Sequence, residues 1–116
     1  SNDEAMQGDA RAQFTLSKDL YRNAEASEDY KKAFFWCKKS ADQGDAQAQY
    51  NLALFYEIEW YRVASNEIQY NDKKRIDAYN QSIKTASYWL NKSANQGFAK
   101  AQFQLGAQNY INFEIL

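Results

Sequence analysis

Ala33-Phe-Phe-Trp-Cys-Lys-Lys-Ser-Ala-Asp-Gln-Gly-Asp-Ala-Gln-Ala-Gln-Tyr-Asn-Leu52 is written a second time as Ala86-Ser-Tyr-Trp-Leu-Asn-Lys-Ser-Ala-Asn-Gln-Gly-Phe-Ala-Lys-Ala-Gln-Phe-Gln-Leu105. The two copies align without a gap. A partial third copy opens the chain, where Gly8-Asp9-Ala10-Arg11-Ala12-Gln13-Phe14-Thr15-Leu16 repeats the second half of the pattern. Fixed residue types returning at fixed offsets mark a repeat array, whose units bury their apolar faces against each other.

Each copy reads as the end of one helix, a tight turn and the start of the next. Ala33, Trp36, Cys37, Ser40 and Ala41 fall three and four residues apart, on one helical face. Gly44 then stops that helix, because glycine accepts the left-handed backbone that closes helix C-termini. Asp45 can cap the following helix, its carboxylate accepting from otherwise unpaired N–H groups and complementing the helix dipole. Gly8-Asp9 repeats this signal, whereas Gly97-Phe98 lacks the acid, which predicts a less well capped helix there. Paired alanines after each turn (Ala10 and Ala12, Ala46 and Ala48, Ala99 and Ala101) keep the surface small where a neighbouring helix approaches.

On these residues the chain resembles the Sel1-like repeat, an alpha-solenoid relative of the tetratricopeptide repeat. Trp36, Lys39, Gln43, Gly44, Ala48, Gln49, Leu52 and Tyr56 carry the likeness in one unit. Trp89, Lys92, Gln96, Gly97, Ala101, Gln102, Leu105 and Gly106 carry it in the next. The family's Gly-x-Gly loop within a unit is missing, and Ser17 and Ala53 replace the glycine that follows the repeat leucine. The resemblance implies an all-α fold: a short right-handed alpha-alpha solenoid of about two and a half helix-turn-helix units. Residues 8–116 form the single domain in this reading, with unit one at 8–43, unit two at 44–96 and a partial third unit with a C-terminal cap at 97–116. Residues 1–7 are set aside as an N-terminal extension or cloning remnant.

Taken in order, a first helix is expected over 9–23, its packing stripe being Ala10, Gln13, Phe14, Ser17 and Leu20 or Tyr21. A second starts at Ser27 or Glu28 and runs to about Gln43, turning Tyr30, Ala33, Phe34, Cys37 and Ala41 inward. Gly8 and Gly44 stand 36 residues apart but Gly44 and Gly97 stand 53 apart, so an insertion of 17 residues lies between Tyr56 and Ala86. It contains no Gly or Pro and keeps helical spacing of apolar residues, which predicts longer helices in place of a loose loop. The turn falls at 65–72, with Asn71 or Asp72 capping a fourth helix that runs through Ile76, Tyr79, Ile83, Ala86 and Leu90 to Asn95. A fifth helix covers 98–109. Beyond it Ile111, Phe113, Ile115 and Leu116 either fold back over the open end of the stack or join a second copy as a homodimer contact.

The third helix is apolar on two sides. Ala48, Leu52, Phe55, Tyr56 and Val63 form the packing face, and Leu54, Ile58 and Tyr61 a second strip, covered by a neighbouring helix or exposed. With Trp60 and Arg62 beside it, that strip is the candidate partner-binding site: Leu54, Ile58, Trp60, Tyr61 and Arg62, drawn from side-chain types that often anchor interfaces.

Hydrophobic residues make up 45% of the chain and aromatic residues 16%, enough to build a core without disulfides. A formal charge of −1 gives no long-range attraction for nucleic acid. No stretch approaches the roughly 20 apolar residues of a membrane span. There is no histidine, no Gly-rich phosphate loop and one cysteine, Cys37, which reads as a buried structural thiol. These features predict no catalytic, cofactor or metal site. The resemblance to Sel1-like repeats implies the expected function, a noncatalytic protein–protein interaction module, an adaptor or scaffold, in a bacterial Sel1-like repeat protein. The alternatives are an immunity protein that blocks a secreted toxic effector and, behind it, a degenerate Sel1-like hydrolase. The periplasm or cell envelope is the expected compartment and the cytoplasm the alternative.

Overall fold

A computed structural model describes residues 2–59 and 72–115, with the side chains of 2–58, 73, 74 and 76–107. Their regular structure is helical, with no strand among the described residues: α1 (Asn2–Met6), α2 (Ala10–Arg22), α3 (Ser27–Asp42), α4 (Ala46–Leu54), α5 (Asp72–Asn95) and α6 (Ala99–Ile115). Helix α4 runs on without a break into a π-helical turn, Phe55–Glu59. Each helix packs on the one before it in the chain.

One turn, made three times, sets the angle between helices. Gly8, Gly44 and Gly97 have φ of +97°, +100° and +87°, a region that a side chain would strain. Gly44 N–H donates to Ala41 O at 2.9 Å and Asp45 N–H to Ser40 O at 3.4 Å, the paired bonds of a Schellman motif. The same pair recurs from Gly8 to Ala5 and Asp9 to Glu4, and from Gly97 to Ala94 and Phe98 to Ser93. The short helix α1 thus meets α2 as α3 meets α4 and as α5 meets α6, and Ala5 is buried as Ala41 is. Asp9 and Asp45 cap the next helices as expected, accepting from Ala12 N–H at 2.8 Å and Ala48 N–H at 2.9 Å. Where the acid is missing, Phe98 packs against Tyr50 with the rings tilted by 51° and their centres 5.5 Å apart.

The recurring polar residues form a hydrogen-bond ladder through the stack. Ser40 Oγ donates to Ala10 O, and Ser93 Oγ to Ala46 O, both at 2.7 Å. Gln13, Gln49 and Gln102 donate to the carbonyls of Ala5, Ala41 and Ala94 at 3.1–3.2 Å. Gln43 donates to Gln13 Oε1 and Gln96 to Gln49 Oε1, each at 2.8 Å. The repeat glutamines and serines therefore bond one another and the helix ends, with Gln13, Gln49, Ser40 and Ser93 buried and Gln43, Gln96 and Gln102 at the surface. Arg11 adds an ion pair at 3.0 Å to Asp45, tying α2 to the start of α4.

The core consists of Phe14, Ala33, Cys37, Ala41, Ala48, Leu52, Ala53, Phe55, Ala86, Trp89, Leu90 and Ala101. Phe34 extends it, meeting Phe55 and Tyr56 edge-on at 6.0 and 5.3 Å between ring centres. Repeated residues need not repeat their burial. Trp89 is 7% exposed, but Trp36 is only partly buried. Each tryptophan carries the same surface partners: Phe35 edge-on to Trp36 under Lys39, and Tyr88 edge-on to Trp89 under Lys92.

Two expectations about the longer helices change. In α5 the stripe predicted to face inward is buried at Ala86 and Leu90 but exposed at Ile76, Tyr79 and Ile83. The described part of the neighbouring helix, α4 with its π turn at 46–59, packs on α5 where Ala86 and Leu90 are buried. The last helix also runs beyond the expected 98–109, because α6 continues as one helix to Ile115. No proline interrupts it, and Gly106 sits inside the helix without a positive φ.

Candidate functional site

Helices α2 and α4 open corresponding parts of successive copies of the repeat, and their facing sides leave a groove of about 430 Å³. From α2 come Ser17, Lys18, Tyr21 and Arg22, and from α4 and its π turn come Asn51, Leu54, Phe55 and Ile58. Helical spacing gathers each set: 17, 18, 21 and 22 share one face of α2, and 51, 54, 55 and 58 one face of α4. The floor is aromatic and aliphatic. Tyr21 stands edge-on to Phe55 at 5.4 Å and to Tyr30 at 5.5 Å.

The π turn lies directly under the groove. Its hydrogen bonds reach five residues back instead of four, so one extra residue fits into the turn, a distortion that recurs at functional sites. Phe55 points into the core at 8% exposure while Ile58, in the same turn, is 59% exposed at the groove edge. On a different side of that helix, toward α6, Tyr50 Oη donates to Gln104 Oε1, and Gln104 Nε2 to Glu57 Oε2, both at 3.3 Å.

Two predicted site residues come together there. Leu54, partly buried, and Ile58 both line the groove. Trp60, Tyr61 and Arg62 lie outside the described residues, as does Val63 of the predicted packing face. The α2 wall was not predicted, although the repeat register contains it. Moving Leu54 and Ile58 back by the 36-residue offset gives Lys18 and Arg22, the equivalent positions one unit earlier.

Chemically the groove is apolar with a basic and amide rim. Among the described residues Lys18 and Arg22 are its charged lining groups, and no carboxylate or thiol is part of that lining. The Ser17 hydroxyl is buried and donates to Ala33 O at 2.6 Å. Cys37 lies beneath in the core, its Sγ 3.3 Å from Ala48 O. Burial pushes its thiol up to about 12, outweighing a hydrogen bond with Ser17 that acts in the opposite direction. Among the described residues no group of three or more His, Cys, Asp or Glu is placed to hold a metal ion. No described helix is long and apolar enough to cross a membrane. No family model matches the chain, and no curated protein matches it.

Proposed function

We propose that the protein is a noncatalytic binding module that holds a segment of another protein in the groove between α2 and α4. The observation that carries this reading is the groove itself, a cavity of about 430 Å³ with an apolar floor of Tyr21, Leu54, Phe55 and Ile58 and a polar rim. That combination is the usual make-up of a binding site. The Sel1-like solenoid belongs to the same proposal. Its supports are the turn made three times, the paired Ser40 and Ser93 bonds, and the stacking of consecutive helices. In such an array the first helices of successive units line a shared surface, and the groove lined by both α2 and α4 supports that reading. The right-handed sense and the adaptor role go with that reading.

Photo-cross-linking tests it. A benzophenone side chain introduced at Ile58 should capture a discrete polypeptide from extracts of the source cells, and Leu54→Arg should abolish the capture. The same probe at Phe35, which is exposed on α3, should not capture it. Equal capture from both positions, unaffected by Leu54→Arg, would place binding elsewhere.

A further inference from the structure

We infer that the segment held in the groove is acidic: it seats one or two apolar side chains between α2 and α4 and sets carboxylates against Lys18 and Arg22. This rests on the binding reading above and adds the chemistry of the occupant. The whole chain is slightly acidic, at −1, yet the charges lining the groove are both positive. Among the described residues no carboxylate lines the groove, and the one acid shown beside these cations is Asp19, which meets Arg22 from outside the lining.

Both cations have donors to offer. Lys18 makes no ion pair among the described residues, and its ammonium stands 4.8 Å from the centre of the Phe14 ring. Arg22 pairs with Asp19 at 3.4 Å through one nitrogen, at a site where both side chains are more than half exposed. That leaves most of the guanidinium's five N–H donors available. On the facing wall the Asn51 amide makes no hydrogen bond to described residues, so it offers a donor and an acceptor to the backbone of a bound segment.

The spacing restricts the ligand further. Lys18 and Arg22 are four residues apart on one helix, which sets their Cβ atoms about 5–6 Å apart. Alternate residues of an extended chain, at about 3.3 Å per residue, match that interval, as do residues four apart on a bound helix. The concave form of the site excludes a flat anionic surface, which could touch the two cations but not Phe55 below them. Rim charges act mainly on selectivity and encounter rate, with the apolar floor supplying most of the affinity.

Peptide selection tests the inference on the full chain. A displayed library of random dodecapeptides is selected on wild-type protein and counter-selected on Leu54→Arg, so that retained peptides depend on the groove. Those peptides should be enriched in Asp and Glu next to aromatic or aliphatic residues. Replacing their acids by amides should weaken binding about fivefold or more, the effect of losing two exposed pairs. Selection on Lys18→Glu/Arg22→Glu should instead retain basic peptides. Both substituted residues are exposed, and unchanged circular dichroism and melting would confirm a folded variant. Groove-dependent peptides that are neutral or basic on wild type, or unaltered by charge reversal, would overturn the acidic occupant while leaving the binding groove in place. No groove-dependent peptides at all would overturn both. Phosphatidylserine vesicles that bind wild type but not the reversed variant would assign the cations to a membrane surface and overturn the inference.

Discussion

Replacing Ser93 by alanine tests whether the hydrogen-bond ladder holds the stack together. The Ser93 side chain is fully buried, and its hydroxyl donates to the Ala46 carbonyl at 2.7 Å, joining α5 to the first turn of α4. A neutral hydrogen bond of this kind contributes about 1 kcal/mol net, more when its partner is left unpaired. Ala46 O keeps its place in the helical ladder of α4, so the loss stays near the low end, at about 1–1.5 kcal/mol. Alanine is the better helix former, which offsets up to about 0.5 kcal/mol and leaves a destabilisation near 1 kcal/mol. Ser40→Ala breaks the equivalent bond to Ala10 O and should cost the same. Because the two bonds lie at different helix junctions, the double variant should lose the sum within about 0.5 kcal/mol. Urea unfolding followed by circular dichroism measures this as a midpoint shift with unchanged slope, roughly 0.3–1 M for each single variant. Thr85→Ala is the control: its hydroxyl bonds only to Gln81 O within its own helix, in an exposed position, and its removal should be close to neutral. If Ser93→Ala is as harmless as Thr85→Ala, the ladder does not hold the stack.

Two further outcomes follow from burial. Trp89→Ala should cost about 3–5 kcal/mol, as expected for a large aromatic taken from a core, and Trp36→Ala clearly less. Denaturant midpoints of the two variants give the ranking, and equal losses would contradict the difference in packing. Cys37 adds a dependence on pH. Its thiol is raised to about 12 in the folded protein from an ordinary value of 9.0, so above pH 9 the unfolded chain releases this proton first and stability falls as pH rises. The slope attributable to this group approaches about 1.4 kcal/mol per pH unit between pH 9 and 12. Unfolding of wild type and Cys37→Ala compared at pH 8 and pH 10.5 should show the steeper decline in wild type, and parallel declines would refute the burial of the thiol.

Sequence alone contained nearly all of the local structure. A glycine followed by an aspartate fixes the left-handed closure of one helix and the cap of the next, both settled within a few residues, so the starts of α2 and α4 fall where Gly8-Asp9 and Gly44-Asp45 place them. The start of α3 at Ser27 was equally local, although its stabilising contact was not foreseen. The Asp29 carboxylate accepts from the N–H groups of Glu25 and then Ala26, and these bonds hold its carboxyl below the usual range. The buried face of each repeat was also readable, since Ala33, Cys37, Ala41, Ala48 and Leu52 keep helical spacing.

Tertiary structure decided what depends on a second helix. Whether Trp36 and Trp89 are equivalent, whether Ile76, Tyr79 and Ile83 find cover, and whether Leu54 and Ile58 face a neighbour are set by how other helices pack against them. A pattern of apolar residues fixes which face of a helix prefers burial, but not the length of the element that covers it. The groove shows this most clearly: its walls are 36 residues apart in the chain, and a π turn at Phe55–Glu59 shapes one of them. Apolar spacing made the second strip on α4 visible in the sequence. The cations opposite it became part of a site only when α2 was packed alongside, because charge placed across a cleft is a property of two helices and not of either one.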